Sequence, residues 1–118
     1  MFEQDMERLE HEIDDALLFY YAAQDEAEKE TCIIRAVEAC LERLQCCRSA
    51  LRDASKPEDL QKSVQHYLSV TDCALQEGIS KFWRNTEREE SNYWRTLTRM
   101  YLSLNDDLCA FCFSDASA

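Results

Sequence analysis

Apolar residues recur at intervals of three and four between Cys32 and Ala54, where the periodicity of the chain is clearest. One stripe runs through the stretch: Ile33, Val37, Cys40, Leu44, Cys47, Leu51 and Ala54. These intervals keep the stripe on one side of an α-helix, and a second row of apolar residues, Ile34 and Leu41, widens it. A helix with so wide an apolar stripe needs other helices to cover it along its whole length.

Three other segments have a matching length and pattern. We expect helices over residues 2–24, 26–54, 56–84 and 87–112, followed by a short flexible tail at 114–118. Asp25 is a suitable N-cap for the second helix, and Glu26 and Glu28 would complement the positive end of its dipole. Capping boxes at Ser55–Glu58 and Thr86–Glu89 predict where the third and fourth helices begin.

The short predicted connections favour an all-α, antiparallel up-down-up-down four-helix bundle in one domain, residues 1–113. The alternative is one helix from Phe2 to Ala54 in a long two-helix hairpin that dimerises, because the first stripe continues in register across residues 24–31. Gly78 interrupts the third helix, either as its end or as a close-packing point. Since Ile79 and Phe82 stay in phase with Leu75, we expect that helix to continue to about residue 84.

The amino-acid composition favours a helical fold and a reducing compartment. The chain has 118 residues with a single glycine and a single proline, which favours helices over turn-rich folds. Most of the seven cysteines lie at the three- and four-residue intervals of predicted core positions, where a thiol packs as a small apolar group. The start of the chain does not resemble a secretory signal. We therefore expect a reducing compartment, cytoplasmic or nuclear. The longest apolar run, residues 16–23, is too short to cross a membrane.

Charge narrows the class of partner. The net charge is −11, and residues 1–30 carry eleven acidic against two basic side chains. Such a charge repels phosphate backbones and anionic membranes, so we expect neither nucleic acid nor a membrane as partner. A more basic strip follows between Lys81 and Arg99, which could contact a second copy of the chain in a homodimer.

Up-down connectivity brings aromatic residues together at one end of the bundle, which we call the aromatic pole: Phe19, Tyr20, Tyr21, Phe82, Trp83, Tyr93 and Trp94. Adjacent helical residues point about 100° apart, so not all of these rings can enter the core. We expect at least half exposure for some of four rings: Phe19, Tyr21, Trp83 and Tyr93. The rings either close the bundle or bind a partner. The second interpretation gives the candidate partner-binding residues Asp14, Asp15, Phe19, Tyr21, Trp83, Tyr93 and Trp94.

The sequence predicts neither a catalytic site nor a cofactor or metal site. It has no glycine-rich phosphate loop and no nucleophile elbow, and its two histidines, His11 and His66, lack the spacing of a metal motif. Four cysteines are predicted at the pole opposite the aromatic one: Cys46, Cys47, Cys109 and Cys112. They could form a zinc site or thiol switch, although packed thiols are the simpler interpretation.

Our leading hypothesis is therefore a non-enzymatic protein–protein interaction module, adaptor-, scaffold- or chaperone-like, that binds a helical or basic segment of a protein. Two alternatives stay open. One is a small acidic antagonist that acts by charge mimicry, and the other is a cysteine-based metal or redox sensor.

Overall fold

The computed structural model describes residues 2–53, 57–83 and 89–113, with the side chains of residues 2–53, 60–82 and 93–110. Apart from residues 23–25, every described residue is helical and none lies in a strand. The helices are α1 (Phe2–Ala22), α2 (Glu26–Asp53), α3 (Pro57–Gly78), which continues as a π-helical turn (Ile79–Trp83), and α4 (Glu89–Phe113). The predicted all-α class is confirmed.

The break between α1 and α2 lies where the sequence predicted it. The Ala23 N–H donates to the Phe19 carbonyl at 2.9 Å at the end of α1, and the Lys29 N–H donates to the Asp25 carbonyl at 2.9 Å at the start of α2. Asp25 therefore occupies the N-cap position of α2. The alternative of one continuous helix from residue 2 to 54 is wrong. The predicted capping residues at 54–56 and 84–88, and the tail at 114–118, lie outside the described residues.

The helices alternate in direction. Arg8 of α1 is 3.3 Å from Glu42 of α2, and the Arg43 guanidinium of α2 lies over the Tyr67 ring of α3. Trp94 donates to Glu30 at 3.2 Å towards the starts of α4 and α2, and Arg48 lies 2.8 Å from Asp107 towards their ends, so these two helices run parallel. These contacts establish the up-down-up-down order.

The bundle is flattened rather than square. Its backbone extends over 49 × 27 × 17 Å. Within the described residues, the backbone of α2 lies close to each of the other three helices, whereas the backbone of α1 lies close mainly to α2, and Tyr20 of α1 also reaches the end of α3. The wide stripe on α2 explains this arrangement, because α1, α3 and α4 cover different sectors of it. As a result, α1 lies at one edge of the molecule and much of its outer surface is left uncovered.

Gly78 is a close-packing point, one of the two roles that the sequence allowed. A Cβ atom at this position would lie 2.3 Å from Cη2 and 2.7 Å from Cζ3 of Trp94. The Trp94 indole is 0% exposed, and its Nε1–H donates to Glu30 of α2 at 3.2 Å. The ring is thus held on one side by the α3 backbone and on the other by α2. Only glycine leaves room for it.

We predict that Gly78→Ala destabilises the protein by about 2 kcal/mol, because overpacking against a fixed ring outweighs the better helix propensity of alanine. Urea unfolding followed by circular dichroism measures this. The exposed neighbour Gln76→Ala is the control, and we expect a change below about 0.5 kcal/mol. Trp94→Phe creates space beside residue 78. The free energy of unfolding of the double variant Gly78→Ala/Trp94→Phe should therefore fall by less than the sum of the decreases in the two single variants. Additive losses would contradict the contact.

Candidate functional site

The aromatic pole exists, and its inner rings form part of the core. Tyr20 of α1 packs edge-on against Phe82 in the π-helical turn, with ring centroids 6.5 Å apart. Tyr20, Phe82 and Trp94 are all at most 5% exposed. The Tyr20 hydroxyl donates to Glu77 at 3.3 Å, and burial raises the pKa of Tyr20. These rings therefore close one end of the bundle.

Some of the outer rings are more than half exposed, as predicted. Phe19 is 60% exposed and Tyr21 is 71% exposed, whereas Tyr93 is 37% exposed. The Tyr93 hydroxyl hydrogen-bonds to the Glu38 carboxylate of α2. The side chain of Trp83 lies outside the described residues.

Trp94 requires a correction. It was a candidate partner-binding residue, but its indole is completely buried and cannot contact a partner. Tyr93 and Trp94 point about 100° apart on α4, so only one of them can face the core. The cleft above Gly78 accepts the larger indole, which leaves Tyr93 at the surface.

The remaining candidates do not form a single patch. Asp14 and Asp15 are both exposed. Asp15 and Phe19 lie on the flank of α1 next to α2, where Arg35 lines the same depression. Tyr21 is about 160° away from Phe19 around the helix and packs its ring against Tyr20, with centroids 5.1 Å apart.

Sequence reasoning missed Leu18, which is 67% exposed. Leu18 lies between Phe19 and Tyr21 around the helix, so the three side chains cover the outward half of the last full turn of α1. We call this group the exposed apolar turn. The unbroken apolar run at residues 16–23 was the available signal, because a helix at the edge of a bundle cannot bury eight consecutive apolar residues. Met100 and Leu102 of α4 are exposed as well, at 38% and 52%.

A groove follows the seam between α1 and α2 and begins beside the exposed apolar turn. Its main part has a volume of about 770 Å³. Small side chains form much of its lining: Ala16, Ala22, Ala23, Ala27, Thr31 and Cys32. A second part extends along α1 to Glu12 and shares Ala16, Phe19 and Arg35 with the first. We call the two parts together the α1–α2 groove.

The groove is rimmed mostly by acidic side chains. Glu12 and Asp15 lie towards one end, and Asp25 and Glu28 lie at the hairpin end. Among the described residues, Glu12 pairs with Arg8 at 3.2 Å, whereas the other three acids form no ion pair. Unpaired carboxylates on a concave surface create a field that attracts cationic groups.

The cysteines of the opposite pole point in different directions. Cys47 is buried in the main core, whereas Cys46 lies towards α1, near Asp5 and Glu42. Cys109 of α4 contacts Asn105 of the same helix, and the side chain of Cys112 lies outside the described residues. Among the described side chains, no group of three or more histidines, cysteines or acids could hold a metal ion, and no disulfide forms.

Two thiols have environments that oppose ionisation. Burial raises the pKa of Cys40. Burial also raises the pKa of Cys46, and the nearby carboxylates of Asp5 and Glu42 add to this effect. Reactive cysteines instead have a lowered pKa, so the surroundings of these two thiols do not activate them.

Arg43 is a buried cation on the side of α2 that faces α3. It is 6% exposed, and its guanidinium carbon lies 4.1 Å from the centre of the Tyr67 ring. Its Nε has no hydrogen-bond partner, and none of the ion pairs among the described residues includes Arg43. The residue is therefore held by stacking and by packing of its aliphatic stem.

None of the helices in the described part of the chain combines the length and the apolar character required to span a bilayer.

We predict that Tyr93 ionises near pH 12. Burial, and then its hydrogen bond to Glu38, raise the pKa of Tyr93 to about 12 from 10.0. Because the folded state favours the protonated phenol, this contribution to stability is complete below pH 10 and is lost as the pH rises to about 12. Glu38→Gln should lower the pKa of Tyr93 part of the way towards 10. A pH titration of the ¹³Cζ chemical shift of Tyr93 measures this. Glu42→Gln, one turn further along α2, is the control and should leave it unchanged.

We predict that Arg43→Met leaves the free energy of unfolding unchanged or raises it by about 1 kcal/mol, since methionine fills similar space without an unpaired buried donor. Arg43→Ala should instead lower it by about 2 kcal/mol, because the packed stem is lost. Thermal and urea unfolding measure both. A large loss in the methionine variant would mean that the charge itself stabilises the fold.

Comparison with known proteins gives no relative from which a function could be transferred. No family model, curated protein or solved structure is significantly similar to this chain. The surface of the molecule is therefore the basis on which its function can be inferred.

Proposed function

We propose that this protein is a non-enzymatic interaction module, with an adaptor, scaffold or chaperone-like role, that binds a basic helical segment of a protein partner through α1. The observation that carries the proposal is the exposed apolar turn. Leu18, Phe19 and Tyr21 are 60% or more exposed within four residues of one helix. Clusters of large exposed apolar side chains are typical of protein-binding surfaces.

The energetic case depends on apolar burial. Fully covering an exposed leucine or phenylalanine side chain contributes about 1.5–3 kcal/mol, so covering Phe19 and the adjoining Leu18, which are 60% and 67% exposed, supplies part of a moderate affinity. Aromatic side chains are frequent among the residues that dominate binding energies. A helix is a suitable partner because its own apolar stripe can match a helical surface.

The charge of α1 defines the polarity of the partner. Asp14 and Asp15 flank the exposed apolar turn, and residues 1–30 have a net charge of −9, from eleven acidic and two basic side chains. Lysine and arginine side chains on the partner would complement this surface and accelerate association at low ionic strength.

Exposed apolar residues also favour this function over charge mimicry. An acidic mimic of nucleic acid competes through carboxylates spaced like phosphates, and it has no need of Leu18 or Phe19 at its surface. The raised pKa of Cys40 and Cys46 supports the interaction module over a thiol-based sensor.

A pair of labelled peptides tests the proposal. We expect an 18-residue amphipathic helix of leucine and lysine to bind the protein in fluorescence anisotropy, and a leucine–glutamate peptide of the same pattern not to bind. Affinity should fall as salt rises from 50 to 300 mM, because exposed charges are screened. Equal binding of both peptides, or binding of neither, would refute the function.

We predict that the double variant Asp14→Lys/Asp15→Lys weakens binding of the lysine peptide by about tenfold. The matched control is Asp53→Lys/Asp106→Lys, which makes the same charge change at exposed sites on α2 and α4. It should bind the lysine peptide with nearly the affinity of the unmodified protein. If both variants lose affinity equally, net charge rather than the surface of α1 determines binding.

A further inference from the structure

We infer that the α1–α2 groove is the binding site of the partner helix. It selects a helix of about three turns with basic residues at both ends and an acidic residue at the centre. This inference depends on the proposed function and specifies where the partner binds and which charge pattern it carries.

The shape of the groove suits one helix. The two parts of the groove share Ala16, Phe19 and Arg35, so they form one continuous depression along the seam. From Glu12 to Ala22 the groove follows α1 for about 15 Å, which is the length of roughly ten helical residues. Phe19 forms one wall and is 60% exposed, so a partner side chain would bury most of its ring.

The lining allows close approach. Alanines, Thr31 and Cys32 form much of it, and small side chains let a second helix lie near the backbone of α1 and α2. The groove opens on the side of α2 that neither α3 nor α4 covers, where Thr31 and Arg35 are exposed.

The charges alternate along the groove. Glu12 and Asp15 lie at one end, and Asp25 and Glu28 lie at the other. Arg35 lines both parts and so lies where they join, and among the described residues it forms no ion pair. An occupant that complements this pattern is basic at each end and acidic opposite Arg35.

A charge exchange tests the pattern. The probes are two twelve-residue amphipathic peptides with lysines at both ends and leucines on one face, which differ only in a central exposed residue, glutamate or lysine. We expect the unmodified protein to bind the glutamate peptide about fivefold more tightly at 150 mM salt. Arg35→Glu should reverse this preference, whereas Arg99→Glu, which makes the identical charge change at an exposed position of α4, should leave the preference for the glutamate peptide unchanged.

A steric block tests the location. Thr31→Trp fills the groove from an exposed position on α2 and should weaken the binding of both peptides by about tenfold. Ser69→Trp, on the exposed side of α3, is the control for adding a tryptophan and should have no effect. Amide shifts in a ¹⁵N correlation spectrum should change along the groove, at residues 12–35.

The outcomes separate the groove from the proposed function. If the lysine-ended peptides bind but Arg35→Glu and Thr31→Trp change nothing, the groove inference is wrong and the proposed function stands on another face of α1. If no basic peptide binds, both are wrong. If light scattering shows a dimer that Thr31→Trp dissociates, a second copy occupies the groove and the inference is overturned.

Discussion

The contact between the Trp94 indole and the backbone at Gly78 fixes the arrangement of three helices. The ring lies within van der Waals distance of α3 and donates a hydrogen bond to Glu30 of α2, so α3, α4 and α2 meet at one point. This contact lies at the aromatic pole, next to the start of the π-helical turn. It completely buries Trp94, the largest of the fully buried side chains in the described part of the chain, and thereby leaves the neighbouring Tyr93 at the surface.

Apolar periodicity predicted much of the fold. The short predicted connections gave the antiparallel order and the capping residue Asp25 gave the break between α1 and α2, while the periodicity itself gave the helical class. It did not give the flattened arrangement around α2. Which helix covers which sector of a wide stripe depends on side-chain volumes across the core, such as the match between Gly78 and Trp94, and a stripe does not encode such pairings.

The candidate site was predictable only in part. The exposure of Phe19 and Tyr21 follows from their phase on α1, whereas the choice between Tyr93 and Trp94 depended on the space above Gly78. The exposure of Leu18 follows from the length of the apolar run at residues 16–23, which exceeds what one buried helix face can accommodate. The α1–α2 groove could not be predicted at all, since it exists only because α1 lies at the edge of the bundle.

The three-residue connection at 23–25 has a consequence for association. The apolar stripe of α1 continues in register into α2 through Ala23 and Ala27, so straightening these residues would make one unbroken helix. In a pair of molecules opened in this way, α1 of each could pack on α2 of the other and recover the same side-chain contacts. Only the connecting residues would differ in conformation between the closed hairpin and such an exchanged pair.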